Sequence, residues 1–291
     1  MKATKAKAFC PGHVTGFFEI LRSQDLLSSG SRGAGICTNL GATTEMTVED
    51  SKNKTIEVHI NGERREAATT VRAIDTLLGK RTASVLASTV LDLPESQGFG
   101  MSAAGTLSAS LAMCSILQLD RVAAFEAAHS AEIECGTGMG DVSAIHCGGV
   151  VVKQVAGLPP KGKARRIDGN PEVVLAVLGD PFRTSDALAD TELVNRVNRE
   201  GAWRVGDLLR EPTITNFMRL SQSFADDTGL VSEKVRAAID SASAVGIASM
   251  AMLGNSVFAV GQTGALESAL SPFGRTYKCG VDIEGVRLVD D

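Results

Sequence analysis

Apolar and polar residues alternate over residues 55–60, where Ile56, Val58 and Ile60 are interleaved with Glu57 and His59. A period of two predicts a strand with one buried face, and Asn61-Gly62 directly after it predicts a hairpin turn. His59 falls on the polar face and reads as a surface residue. Other strands are predicted at 5–10, stopped by Pro11-Gly12, at 43–48, and at the apolar run 83–93. The period changes over 68–78, where Val71, Ile74, Leu77 and Leu78 recur at helical spacing. A longer helix is predicted from about 103 to 119, with Leu107, Leu111 and Ile116 roughly along one face, and another over 121–132. A polar turn at 135–141 and then Gly148-Gly149 lead to a strand at 150–155. Gly157-Leu158-Pro159-Pro160 and the basic cluster Lys161, Lys163, Arg165 and Arg166 predict a linker. Beyond it the pattern predicts a strand at 173–178 and helices around 184–198, 213–224 and 232–244. An apolar segment at 247–260 and a final helix and strand follow. The order is that of an α+β chain with two halves joined near residue 160.

With 291 residues, 44% of them hydrophobic, the chain suffices for one large domain or two smaller ones. A net charge of −5 with scattered basic residues speaks against a broad nucleic-acid surface. No apolar stretch has the length of a signal or a membrane span. The six cysteines form no C-x-x-C pair and read as free thiols, not a disulfide frame or zinc site. Together these features predict a soluble cytoplasmic protein without nucleic-acid or membrane partners.

The stretch Gly98-Phe99-Gly100-Met101-Ser102-Ala103-Ala104 opens the long helix. A glycine loop running into a helix N-terminus presents unpaired N–H groups and the positive end of the helix dipole, which suits phosphate. A plain glycine turn before a core helix is the alternative. Gly157-x-x-x-x-Gly162-Lys163 imitates a P-loop, but Ala164 stands where a Ser or Thr must reach a metal. The residues after it cannot start a helix. Further candidates are His129 and Glu132, neighbours on one helical face, and Asp141 after the alternating glycines 136, 138 and 140. Either acid alone could be a helix-end or capping carboxylate. Phosphoryl transfer needs a phosphate cradle, oxygen ligands for magnesium and a carboxylate facing the accepting hydroxyl. Ser102 and Glu132 supply two hard oxygens, and Asp141 is the carboxylate.

These stretches resemble a known family. Residues 98–104 are similar to the G-L-G-S-S-A-A signature of the GHMP small-molecule kinases. Gly138-Met139-Gly140-Asp141 through Gly148-Gly149 resembles their G-x-D-x-x-x-x-x-x-G-G segment, and Pro11-Gly12-His13 their P-G-K opening. The archaeal branch whose acceptor is pantoate is the most similar. Its marks are P-G-H-x-T-G-F-F at 11–18, G-S-x-G-A-G at 30–35, G-T-G-x-G-D at 136–141 and M-L-G-N at 252–255.

The resemblance implies a two-domain α+β fold. An N-terminal domain (1–165) would contain a left-handed βαβ crossover, a ferredoxin-like C-terminal domain (166–291) would follow, and the active site would lie between them. It implies ATP phosphates on the backbone of Gly98, Phe99, Gly100, Met101, Ser102, Ala103 and Ala104, and Mg2+ at Ser102 and Glu132. Asp141 would act on the terminal hydroxyl of pantoate, as a general base or an orienting charge. Acceptor contacts are implied at Ser31, His129, Lys153 and Thr184, and a homodimer is expected. From the residues themselves, Lys153 is equally a strand-edge lysine and Ser31 and Thr184 equally turn or capping residues. Arg32 and Arg183 are rival carboxylate binders. Three positions depart from the wider family. Met101 replaces the loop's first Ser, His13 replaces a Lys, and the C-terminal glycine motif is reduced to residues 252–255. The implied function is ATP-dependent phosphorylation of pantoate in coenzyme A biosynthesis. Alternatives are a kinase of another small hydroxy acid or alcohol, or a nucleotide-binding sensor without catalysis.

Overall fold

A computed structural model describes residues 3–181 and 190–290. Two long antiparallel strands, β1 (Thr4–Leu21) and β2 (Gly30–Asp50), form the spine. Pro11-Gly12 does not end the first strand. The pairing register shifts there, and again between Thr15 and Phe17. Irregularities of this kind accommodate a residue without an N–H and bend the ribbon instead of stopping it. β3 (Thr55–Ile60) turns through Asn61-Gly62, both at positive φ, into β4 (Glu63–Arg65). His59 is half-buried on that ribbon and pairs with Glu57 at 2.6 Å. Helix α1 (Ala68–Leu78) matches its apolar period, and β5 (Ala83–Leu91) returns parallel to β3.

Helix α2 (Met101–Leu117) and α3 (Arg121–Cys135) follow, then, after the turn, a short α4 (Asp141–Cys147) that the pattern does not predict. α2 is buried around almost its whole circumference. Its small residues let α1, α3 and the sheet approach closely. The hydroxyls this buries are paired: Thr106 with Thr70, Ser108 with Thr44, and Ser110 with the Thr106 carbonyl.

β6 (Val150–Val155) pairs with β2 and with β7 (Lys163–Ile167). The stretch expected to be a linker therefore enters a strand. Its basic side chains belong to a sheet edge, where charge is tolerated, and Arg166 donates to the carbonyls of Cys147 and Ile283. The P-loop imitation thus runs into a strand and has no helix dipole.

The remaining elements are β8 (Val173–Val177), α5 (Thr191–Arg210), α6 (Ile214–Thr228), α7 (Glu233–Ala242), β9 (Gly246–Met250) and β10 (Ser256–Gly261). They end with α8 (Thr263–Leu270), β11 (Arg275–Cys279) and β12 (Arg287–Leu288). The apolar segment 247–260 is the β9–β10 hairpin. One sheet carries the order β12-β1-β2-β5-β3-β4, with β6 and β7 joined to it through β2, and a second is antiparallel in the order β11-β8-β10-β9. Phe17 packs against Phe217 and Phe224, and Phe217 against Phe258, so aromatic rings from both sheets and α6 meet in one core. Among the described residues no helix is long and apolar enough to cross a membrane.

Candidate active site

The glycine loop ends on Gly100, which adopts a left-handed conformation (φ 67°) and caps α2 without any side-chain bond to the first-turn N–H groups. Those donors remain available at the positive end of a buried helix. The loop is held from two sides. The His13 N–H donates to the Phe99 carbonyl at 3.0 Å. A Cβ on Gly98 would lie 2.8 Å from the Met252 carbonyl oxygen. Both glycines are therefore required by close backbone approach as well as by positive φ.

Below the loop, Glu132 is 2% exposed near the end of α3. Its Oε1 accepts from Thr137 at 3.3 Å, while Oε2 is buried without a hydrogen-bond partner. Burial and the nearby charge of Asp141 push its carboxyl up to about 8, against hydrogen bonds from Ser102 and Thr137 that lower it. The alternating glycines make room for these groups. Gly136 is the left-handed cap of α3. A side chain on Gly138 would collide with the Glu132 carboxylate, and one on Gly140 with Lys153 Nζ and Ser31 Oγ.

Asp141 opens α4 with a quarter of its side chain exposed. His13 Nδ1 lies 2.6 Å from its Oδ1. Burial alone would raise the Asp141 carboxyl. The His13 hydrogen bond and the charges of His13 and Lys153 outweigh it and hold the group below its ordinary value. Lys153 is 3% exposed and donates to Ser31 Oγ at 2.7 Å and to the Gly140 carbonyl at 3.1 Å. Burial lowers the ammonium to about 8, opposed by the Asp141 charge. A buried cation without a bonded carboxylate is an expensive arrangement unless an anion arrives from outside.

Loop residues 98–103, which include Ser102, line one cleft of about 390 Å³ with Glu132, Asp141, Lys153 and Ser31, whereas Ala104 does not line it. His129 does not line it. This imidazole is buried in α3 and bonds the Ser29 carbonyl at 3.0 Å, two residues before Ser31. Burial lowers its pKa, which favours the neutral ring. Arg32 is engaged by Glu19 at 2.7 Å. Thr184 and Arg183 lie outside the described residues. The sequence marks His13 only as the replacement of a Lys and gives no sign that it partners Asp141. Thr137, Thr15 and Phe18 of the cleft were also missed. The only signal for His13 was its place in the 11–18 motif.

No family model matches the chain. Among curated proteins, the pantoate kinase of Methanocaldococcus jannaschii is 30% identical, over 94% of this chain and 99% of its own length. That of Methanospirillum hungatei is 31% identical over 99% and 98%. The chain belongs to the pantoate kinase family. A solved phosphotransferase related to the CoA biosynthesis pathway superposes with a TM-score of 0.89 at 28% identity, covering 98% of this chain and 99% of that one. A mevalonate kinase structure, 14% identical, shares the fold with a TM-score of 0.67 over 97% of this chain and all of the other. The fold is the α+β fold of the GHMP kinases.

Proposed function

We propose that the chain phosphorylates the terminal hydroxyl of (R)-pantoate with ATP and magnesium, giving 4-phosphopantoate for coenzyme A biosynthesis. The observation that carries this reading is the single cleft in which a buried ammonium, Lys153, stands beside the Asp141 carboxylate below a glycine-loop helix terminus. A small hydroxy acid supplies both the anion that Lys153 lacks and the hydroxyl that Asp141 faces. The loop N–H groups of 98–104 bind phosphate oxygens. A second cavity of about 210 Å³ adjoins the loop at Met101 and Ser102, and its wall of Val58, Ile60 and Leu91 suits a nucleotide base.

The residues present fit magnesium. Glu132 offers a buried oxygen without a partner, with the Ser102 hydroxyl beside it, and hard oxygens are what this ion takes. When bound, the ion would neutralise charge on the phosphates. Asp141 accepts the hydroxyl proton or orients that hydroxyl, using the oxygen that His13 leaves free. Ser31 positions Lys153 and contacts the acceptor. His129 acts one step back, by holding Ser29. Thr184 is assigned to the acceptor on the family resemblance. A cytoplasmic homodimer is part of the same proposal, and sedimentation of the purified chain tests the dimer.

An ADP-release assay over a panel of small hydroxy acids and alcohols decides the function. Pantoate should be the preferred acceptor. Strong turnover of another acid with none of pantoate would overturn the choice of acceptor, and ATP binding without any turnover would favour a sensor.

A further inference from the structure

We propose that Phe18 selects an acceptor that is doubly branched at the carbon next to its reacting hydroxymethyl group; this rests on the pantoate reading above. The sheet register places the residue. Phe18 pairs with Gly33 across β1 and β2, and Gly33 pairs with Lys153 across β2 and β6. The three form one row, so Phe18 and Lys153 stand on the same face, two strands apart. Between them Gly33, at φ 144°, carries no side chain, and a Cβ there would collide with the Phe17 carbonyl. The row is thus a slot with a cation at one side, an aromatic ring at the other and bare backbone beneath. Both walls line the cleft.

Two strand spacings, about 9.6 Å, separate the backbones of Phe18 and Lys153, with Gly33 between them. A carboxylate held by the Lys153 ammonium at one side of the slot leaves the branched carbon of a short hydroxy acid facing the ring at the other. The ring is a firm wall. Phe18 is 6% exposed and packs on Phe224 with centroids 5.8 Å apart. Thr15, Met139 and Leu253 also face the cleft, but none shares the row with Lys153.

The test compares pantoate with 2,4-dihydroxybutanoate, the same skeleton without its two methyl groups. Wild-type kcat/KM should favour pantoate by ~100-fold or more, the scale set by one or two apolar carbons in a pocket. Phe18→Ala should reduce that preference at least tenfold and Phe18→Leu by an intermediate factor, with the KM for ATP unchanged. A purely structural role would slow both acceptors alike and leave the ratio intact. Phe18→Leu retains an apolar side chain against Phe224 and keeps the test decisive if the alanine variant fails to fold. An unchanged ratio in the folded variants overturns the role of Phe18 alone. Wild-type enzyme that turns over neither acid overturns the kinase reading, and this inference with it.

Discussion

Burial holds the Lys153 ammonium at about 8, so it is charged at neutral pH and titrates just above it. The native lysine releases its proton more readily than the unfolded chain does. Its destabilising contribution is therefore complete below pH ~8 and disappears as pH rises toward the ordinary lysine value. On the proposed reading acceptor binding runs the opposite way, because the acceptor carboxylate pairs with the charged form. The kcat/KM for pantoate should fall up to tenfold per pH unit above ~8. Lys153→Gln should be weak throughout and flat across that window. Glu132 has the reverse sign. Its raised carboxyl favours the native state at low pH, and that contribution is lost as pH rises through about 8. Glu132→Gln should therefore melt above wild type at pH 9, while a magnesium titration of activity should shift to higher concentrations. An unshifted titration would remove Glu132 as a ligand. Asp141→Asn should lower kcat by ~10²–10⁴-fold, the range for a positioned proton acceptor, with little change in ATP binding. Near wild-type turnover would take Asp141 out of the chemistry.

The alternating glycines after α3 show how one short element serves different needs. Gly136 adopts φ 66° with no heavy atom near its missing Cβ, so its requirement is conformational. Gly140 does not adopt a left-handed φ, and its missing Cβ leaves room for Lys153 and Ser31. Gly136→Ala should therefore cost about 1 kcal/mol of stability in a denaturant melt with near-normal kinetics. Gly140→Ala should raise the KM for pantoate at least tenfold, the effect of losing about one charge-assisted bond. The same contrast explains what was legible in the chain. Helix α1 and the Asn61-Gly62 hairpin follow from local signals, an apolar period and a dipeptide with a required turn geometry. Helix α4 is seven residues long and follows three glycines, while β7 carries basic residues on a sheet edge, so both resembled loops. Ser102, Glu132 and Asp141 were visible because glycines and helix spacing mark them locally. His13 meets Asp141 across 128 residues, and only the paired sheet and helices bring them together.

At the scale of the molecule, the second sheet holds the glycine loop in place. Leaving β9, the Met252 N–H donates to the Thr15 carbonyl of β1 at 3.0 Å. Leu253 then takes a left-handed conformation (φ 61°), which costs a non-glycine residue energy and turns the chain against the loop. Gly254 lies on the Gln97 backbone so closely that a Cβ would overlap it. Ser256 Oγ donates to the Gln97 carbonyl, and Gln97 Nε2 donates to the Gly179 carbonyl at 3.0 Å. The reduced motif at 252–255 is thus a brace between the β9–β10 hairpin and the residues that enter Gly98. Gly254→Ala must push Gln97 and Gly98 toward the cleft while touching neither Asp141 nor Lys153. The KM for ATP should rise at least tenfold, consistent with the ~10²-fold penalty that a ~1 Å misplacement can carry, and the KM for pantoate should move far less. Equal losses for both substrates would show that the hairpin supports the whole cleft and not the loop in particular. Unchanged kinetics in a folded variant would show that the loop holds its conformation without this brace.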